Sequence, residues 1–297
     1  MSILARSELV DPQLFDAARR LHLSARRVAP QGRFADQRSR DRGMGLEFED
    51  HRPYTPGDDL RAVDWHLERR LGRLFVRLFE QQEDLPLYLL PDVSRSQFLE
   101  DPPRGRAGLR ATVLLAAASL FQHDTVGVFP FADDLTTLAR PASGRNRAVT
   151  LASRLAALEA GGATDIPKAI ARLSALRLRR GLVVLVSDLF DPQGIEAVTQ
   201  ALGRLRHRLL VVQLTRPVDA DPGLAGDLRL VDCESGVMED VSITPAVQER
   251  YRQAYGAFET HLTDFCRERG IGRIRLDCDQ DVVPQLTRVF HAGGFEA

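Results

Sequence analysis

The sequence predicts a doubly wound α/β fold with a mostly parallel central sheet, preceded by a small N-terminal α+β segment. The first observation is that predicted strands and helices alternate from residue 85 onward. The second is that residues 182–186 and 209–212 are apolar without alternation, as is typical of strands buried on both faces. Repeated strand–helix units containing such strands favour a parallel sheet covered by helices on both sides.

The elements follow from this pattern in chain order. Strands are predicted at residues 85–91, 125–131, 182–187, 208–214, 228–232 and 273–277. Helices are predicted at residues 106–122, 145–159, 166–179, 193–206, 245–269 and 281–290. An earlier helix is predicted over residues 11–28, because Asp11 is a suitable N-cap and Pro12 suits the first helical position.

A boundary is expected between residues 84 and 85. Residues 1–84 would hold the first helix, an arginine-rich loop and a small strand-containing segment, and residues 85–297 would form the α/β domain. The loop arginines at residues 31–42 could contact nucleic acid, but only Phe34 lies among them, whereas single-stranded nucleic acid is bound through interleaved aromatic side chains. The net charge of −1 provides no general attraction to nucleic acid.

Several other classes of protein are not supported. No apolar run approaches the roughly 20 residues of a membrane helix, and the N-terminus becomes polar too soon for a signal peptide, so a cytoplasmic protein without a membrane span is expected. The three cysteines are far apart and predict neither disulfides nor a zinc site. Lys168 is preceded by Pro167 and followed by Ala169, which excludes a Walker A loop.

Polar residues follow the predicted strands where a ligand would bind. Ligands of open α/β sheets lie outside the carboxyl ends of the strands. Three loops near those ends supply two carboxylates and three hydroxyls: Asp92, Ser94, Ser96, Thr164 and Asp188. These hard oxygen donors suit Mg²⁺, or Mn²⁺, rather than zinc or copper. Few of them are charged, so a bound ion would still attract an outside carboxylate. The alternative is that the same residues only cap helices and turns.

The three motifs resemble the metal-ion-dependent adhesion site of von Willebrand factor A domains. The resemblance lies in Asp-x-Ser-x-Ser at residues 92–96, Gly-Gly-x-Thr at residues 161–164 and the pair Ser187-Asp188. It implies a von Willebrand factor A-like domain over residues 85–297, with the five oxygen-bearing residues as the metal site. One departure is Gln97, where an apolar residue often follows the second serine, and no effect on coordination is expected.

The preceding segment resembles the signature of a bacterial family, domain of unknown function fifty-eight. The matching residues are Arg52, Tyr54, Pro56, Gly57, Asp58, Asp59, Arg61, Asp64 and Trp65, followed by Arg77 and Glu80. The resemblance covers about residues 45 to 290. Because such proteins are commonly encoded beside MoxR-type AAA+ ATPases, it implies an adaptor or co-factor of such an ATPase in protein maturation or complex assembly. Candidate partner contacts are then Arg52, Tyr54, Asp58, Asp59, Arg61, Asp64 and Trp65; the alternative is a turn, ion pairs and one packed aromatic.

The leading hypothesis is therefore a non-enzymatic, metal-dependent protein-interaction module whose partner offers an acidic residue. The alternative is a metal-dependent hydrolase or phosphatase. Aspartate-based phosphatases place Asp-x-Asp after a strand to provide a nucleophile and an acid–base partner. Position 94 is a serine, so that pair is missing, and no Gly-x-Ser-x-Gly elbow is present.

Overall fold

The computed structural model describes residues 4–21, 47–55, 58, 63–80 and 86–292. The helices are α1 (Arg6–Leu9), α2 (Pro12–Arg20), α3 (Trp65–Leu71), α4 (Arg104–Phe121), α5 (Arg147–Ala156), α6 (Ile166–Ala175), α7 (Ile195–Leu202), α8 (Pro217–Ala220), α9 (Pro245–Arg269) and α10 (Val282–Ala292). The strands are β1 (Glu47–Pro53), β2 (Phe75–Glu80), β3 (Leu87–Pro91), β4 (Val126–Val128), β5 (Ala139–Ala142), β6 (Leu182–Ser187), β7 (Arg208–Thr215), β8 (Gly226–Val231), β9 (Met238–Ile243) and β10 (Gly272–Asp277).

The chain divides into two compact units. The smaller covers Arg33–Asp84, and the larger combines Met1–Gly32 with Leu85–Ala297. The first helix was expected to belong with the segment up to residue 84, but α1 and α2 belong to the larger unit. The reason is burial, because Leu9 and Leu14 belong to the same apolar core as α4. Of the predicted helix over residues 11–28, the part after Leu21 lies outside the described residues.

In the smaller unit, β1 and β2 form an antiparallel pair, and α3 lies between them in sequence. Asp64 caps α3, since its carboxylate accepts hydrogen bonds from the backbone N–H of His66 at 2.9 Å and of Leu67 at 3.2 Å. Gly72 ends the helix with φ 63°, in the left-handed region that favours glycine.

The larger unit is built on a six-stranded sheet in the order β10-β7-β6-β3-β4-β5. All neighbouring pairs are parallel except β4 and β5, which are antiparallel. The predicted mostly parallel α/β fold is therefore confirmed. The short edge strand β5 was not predicted.

Helices cover both faces of this sheet. Side chains alternate between faces along a strand, so Leu89 of β3 and Val184 of β6 pack with α4, α5 and α10 on one side. Leu90 and Leu185 pack with α6, α7 and α9 on the other side. Every residue of β3 and β6 is buried, which explains why their sequences are apolar without alternation.

The predicted strand at residues 228–232 exists, but it is not a strand of the central sheet. It is β8, which pairs with β9 in a separate antiparallel hairpin. Residues 232–237 connect the two strands, and a parallel crossover needs a dozen residues or more. Both strands are mostly exposed.

Within the described parts of the chain, no helix combines the length and the apolar character needed to cross a membrane.

Candidate metal and partner site

The sheet brings the three predicted loops to one edge, at the carboxyl ends of β3 and β6. Asp92 directly follows β3, and Asp188 directly follows β6. The backbone N–H of Asp92 donates to the carbonyl of Val186 at 2.9 Å, which joins the first loop to β6. The second loop, residues 161–165, precedes α6. Its Gly162 carbonyl accepts from the N–H of Arg95 at 3.0 Å, so the second loop is fastened to the first.

Gly161 permits this close approach. A Cβ atom at this position would lie 2.3 Å from the Cβ of Ala132 and 3.3 Å from the carbonyl oxygen of Val93. Its own N–H donates to that carbonyl at 2.6 Å. Glycine is therefore needed here for space, which explains why the Gly-Gly motif precedes Thr164.

Asp92 is the centre of a hydroxyl network. One carboxylate oxygen, Oδ1, accepts from the N–H of Ser94 at 3.0 Å and from its hydroxyl at 2.6 Å. The other, Oδ2, accepts from the hydroxyl of Ser187 at 2.7 Å. The hydroxyl oxygens of Ser94 and Ser96 lie 3.1 Å apart. The first motif thus places its three oxygen-bearing side chains together, and Ser187 adds one that the sequence analysis did not assign.

Asp188 is held from two sides. Its Oδ1 accepts from the N–H of Phe190 at 3.1 Å, and its Oδ2 accepts from Nε2 of Gln97 at 2.8 Å. Nη1 of Arg104 lies 3.6 Å from the same Oδ2. Gln97, expected to have no effect on coordination, therefore positions the carboxylate of Asp188. Its own Oε1 is a buried oxygen without a hydrogen-bond partner among the described residues.

The residue after Asp188 has an unusual backbone. Leu189 is fully buried and has φ 67°, a left-handed conformation that costs a non-glycine residue about 1–2 kcal/mol. The hydroxyl of Ser187 accepts the N–H of Leu189 at 3.0 Å and helps to hold it. Strain of this kind clusters at functional sites.

The two carboxylates have perturbed acidities. Burial, and then the negative charge of Asp188, raises the pKa of Asp92 to about 7. Burial also raises the pKa of Asp188 to about 6, although the positive charge of Arg104 opposes the rise. Asp92 is 3% exposed and Asp188 is 6% exposed. Their negative charge is thus only partly compensated by the protein.

Thr164, the fifth predicted residue, has a partner from a distant element. Its hydroxyl donates to Oε1 of Glu234 at 2.9 Å, and its N–H donates to Oε2 at 3.0 Å. Glu234 lies in the turn between β8 and β9. The following residue, Asp165, caps α6 by accepting from the N–H of Lys168 at 2.9 Å, as its position predicts.

The chemistry of these donors fits a hard divalent cation. All are oxygens, and the two buried carboxylates lack full charge compensation, which a cation would supply. Among the described residues, no three His, Cys, Asp or Glu side chains are grouped closely enough to hold a metal. Asp92, Ser94, Ser96, Thr164 and Asp188 would therefore have to bind the ion with hydroxyls as well as carboxylates.

The signature residues of the smaller unit have mainly structural contacts. Asp58 accepts from the N–H and the hydroxyl of Thr55, each at 2.9 Å, and the N–H of Tyr54 donates to the carbonyl of Leu74 at 2.9 Å. Trp65 is 55% exposed, so its interpretation as a packed aromatic was wrong. The side chain of Arg52, together with Asp59 and Arg61, lies outside the described residues.

The family described as "Protein of unknown function DUF58" matches residues 50–261. The chain belongs to the DUF58 family. It is 27% identical over 292 residues to Uncharacterized protein Rv1480 of Mycobacterium tuberculosis, a match that covers 96% of this chain and 91% of that protein.

Solved structures similar to this DUF58 chain include proteins with von Willebrand factor A-like domains. BatB from Bacteroides thetaiotaomicron is 14% identical with a TM-score of 0.40, and the match covers 70% of this chain and 98% of BatB. A von Willebrand factor type A protein from Catenulispora acidiphila is 13% identical with a TM-score of 0.33, covering 61% and 43%. The strand order and the two helical layers of the DUF58 chain define its fold independently of these similarities.

Proposed function

We propose that this DUF58 protein is a non-enzymatic protein-interaction module that binds Mg²⁺, or Mn²⁺, and uses it to hold an acidic residue of a partner. The ligands are Asp92, Ser94, Ser96, Thr164 and Asp188. A divalent cation, when bound, supplies a coordination position for a carboxylate from outside the site.

The observation that carries this proposal is the pair of buried carboxylates on adjacent strand ends. Asp92 is compensated only by hydrogen bonds from hydroxyl and N–H groups among the described residues. Burying an ionised carboxylate is costly unless a cation or strong donors accompany it. A folded chain that retains two such groups side by side favours a cation site over a simple turn cap.

The remaining residues of the site fix its geometry. The hydroxyls of Ser187 and Ser94 donate hydrogen bonds to the two carboxylate oxygens of Asp92. Gln97 and Arg104 position the carboxylate of Asp188. Arg104 also reduces the negative charge at Asp188, so the site retains less charge to neutralise a bound ion. An ion held in this way would keep an affinity for one further carboxylate.

For the partner, we propose a MoxR-type AAA+ ATPase or its client protein, with the chain acting as an adaptor. This part of the proposal rests on membership of the DUF58 family and the association that the resemblance implies. The exposed Trp65 provides a second candidate contact, on the smaller unit.

No specific observation favours the hydrolase alternative. The hydroxyl of Ser94 donates to Asp92 at 2.6 Å, so the position that a phosphatase gives to an acid–base carboxylate holds a hydrogen-bonded hydroxyl instead. An Asp92-dependent rate on generic phosphate esters would be the evidence for that alternative.

Isothermal calorimetry with Mg²⁺ tests the metal site. We expect wild type to bind Mg²⁺ and the Asp92→Asn variant to give no binding heat, because it lacks the central negative charge. Asp264→Asn is the matched control, since Asp264 is a partly exposed residue of α9 that pairs with Arg267. Saturation at a hundred times Kd should stabilise the fold by about 2.7 kcal/mol. Wild-type protein that neither binds nor is stabilised by Mg²⁺ would contradict the proposal.

Affinity capture tests the partner. Immobilised wild-type and Asp92→Asn protein are incubated with native lysate, in magnesium or in chelator. We expect an AAA+ ATPase to be retained only by wild type with magnesium. Equal retention by Asp92→Asn at saturating magnesium would show that the partner does not bind through this site.

A further inference from the structure

The β8–β9 hairpin ends in an ordered turn that fixes the position of Glu234. Oδ1 of Asp232 accepts the N–H of Glu234 at 3.0 Å and that of Ser235 at 2.6 Å. Gly236 donates its N–H to the carbonyl of Asp232 at 2.8 Å and has φ 74°. These bonds give the turn one defined conformation, with Glu234 at its tip.

Both carboxylate oxygens of Glu234 accept hydrogen bonds from Thr164. The hydroxyl of Thr164 donates at 2.9 Å and its N–H at 3.0 Å, and hydrogen bonds to a carboxylate are roughly twice as strong as neutral ones. Thr164 is also one of the five residues of the proposed metal site. An acidic side chain of the same chain therefore already accepts the hydrogen bonds of one residue of that site.

The turn also interacts electrostatically with residues at or near the other two loops. Burial raises the pKa of Asp191, which follows the third loop, and the charges of Asp165 and Glu234 raise it further. Burial and the charges of Glu234 and Asp232 raise the pKa of Cys233, whereas the charge of Arg95, in the first loop, lowers it. The hydrogen bonds to Thr164 place the turn beside the second loop, and its charges also act on Asp191.

We infer that Glu234 occupies Thr164 of this site as the chain's own carboxylate, and that a partner binds by displacing it with an acidic residue of its own. This inference rests on the proposed function. It also specifies the partner chemistry, because a competitor for Thr164 must present a carboxylate.

The hairpin is suited to displacement. Its strands are mostly exposed, and an isolated two-stranded hairpin is marginally stable in water. Val237 and Met238, beside the tip, are exposed apolar side chains. Little buried surface would be lost if the hairpin moved from the site, so the two hydrogen bonds of Glu234 carry much of its attachment.

Hydrogen exchange at the Thr164 amide tests the attachment without metal. In the Glu234→Ala variant we expect this amide to exchange about tenfold faster than in wild type, because its charged acceptor is gone. Glu239→Ala is the control, since Glu239 is an exposed carboxylate of the same hairpin, opposite Leu230. An unchanged rate in Glu234→Ala would overturn the inference.

A labelled peptide of residues 230–238, carrying Cys233→Ser against oxidation, tests the displacement. In saturating Mg²⁺ we expect it to bind Glu234→Ala protein at least tenfold more tightly than wild type, and to lose binding when the peptide itself carries Glu234→Gln. Equal binding to both proteins, or binding to neither, would overturn the inference.

The two proposals fail in different ways. If wild type binds no Mg²⁺ in the calorimetric titration, the proposed function fails, whatever the exchange rate at Thr164. If Mg²⁺ binds normally while Glu234→Ala changes neither exchange nor peptide binding, only the inference about Glu234 is overturned.

Discussion

Arg104 shows how one buried charge connects the candidate site with the structure around it. It is 5% exposed. Its guanidinium donates to both carboxylate oxygens of Asp219, at 2.7 and 3.0 Å, and lies 3.6 Å from Asp188. Paired donation to one carboxylate is a geometry that lysine cannot reproduce. The same side chain therefore ties α8 to the loop that follows β6.

Replacing Arg104 should be far more costly than replacing its neighbour Arg106. Arg104→Met would leave Asp219 and Asp188 buried without their cation, so we expect a loss of about 3–5 kcal/mol in the free energy of unfolding. Arg106→Met removes an exposed pair with Glu8 at 2.7 Å, which should cost about 1 kcal/mol or less. Urea denaturation of both variants measures the difference. Similar losses would show that Arg104 does not act as a buried counter-ion.

At the scale of single elements, Gly181 and Gly256 differ in the space that is available for a side chain. Gly181 precedes β6, and a Cβ there would lie 2.2 Å from the carbonyl oxygen of Pro86, which belongs to the backbone and cannot easily move. Gly256 lies inside α9, where a Cβ would meet nothing within 4 Å.

Alanine should therefore destabilise the protein at one position and stabilise it at the other. We expect Gly181→Ala to cost about 1–3 kcal/mol through overpacking. Gly256→Ala should add about 0.5–1 kcal/mol, because alanine favours a helix interior more than glycine does. Thermal denaturation of the two variants is the measurement. A Gly256→Ala protein that melts below wild type would contradict this account of α9.

The elements also show which parts of the fold are visible in sequence. The strands β3, β6 and β7 were predicted because each is buried and contains a run of apolar residues. In contrast, β5 has only four residues, and β9 is exposed at most positions and polar at half of them, so neither has the apolar pattern of a core strand. Their pairing depends on tertiary context, which local sequence does not encode.

The residues of the site also differ in whether the sequence predicts them. The five proposed metal ligands were predicted because each belongs to a short motif beside a strand or helix end: Asp92, Ser94, Ser96, Thr164 and Asp188. Glu234 was not, because its contact with Thr164 joins residues 70 positions apart and its own surroundings indicate only a polar turn. The metal assignment itself stays a prediction until binding is measured.

For the molecule as a whole, the reactivity of the three cysteines shows whether the protein is folded. Cys266 and Cys278 are buried, whereas Cys233 is exposed at the hairpin turn. Burial raises the pKa of Cys266 to about 11 and that of Cys278 to about 12. The thiolate is the reactive form, so these two thiols should be inert at neutral pH.

A thiol-reactive dye should therefore label native protein at one cysteine and unfolded protein at all three. Counting labelled thiols by mass spectrometry, before and after guanidinium, measures this. The Cys233→Ser variant should label at none while native. Rapid native labelling of Cys266 or Cys278 would show that the core opens more readily than its burial implies.

The long-range contacts of the site also determine when the site is complete during synthesis and folding. Ser187 reaches Asp92 across 95 positions of sequence, and Glu234 reaches Thr164 across 70. Distant contacts form late, because the intervening chain must first lose conformational entropy. A ribosome makes the Asp92 loop long before Ser187 and Asp188 exist. A partner that recognises Asp92, Thr164 and Asp188 together would therefore ignore nascent chains that have not been made and folded beyond residue 188.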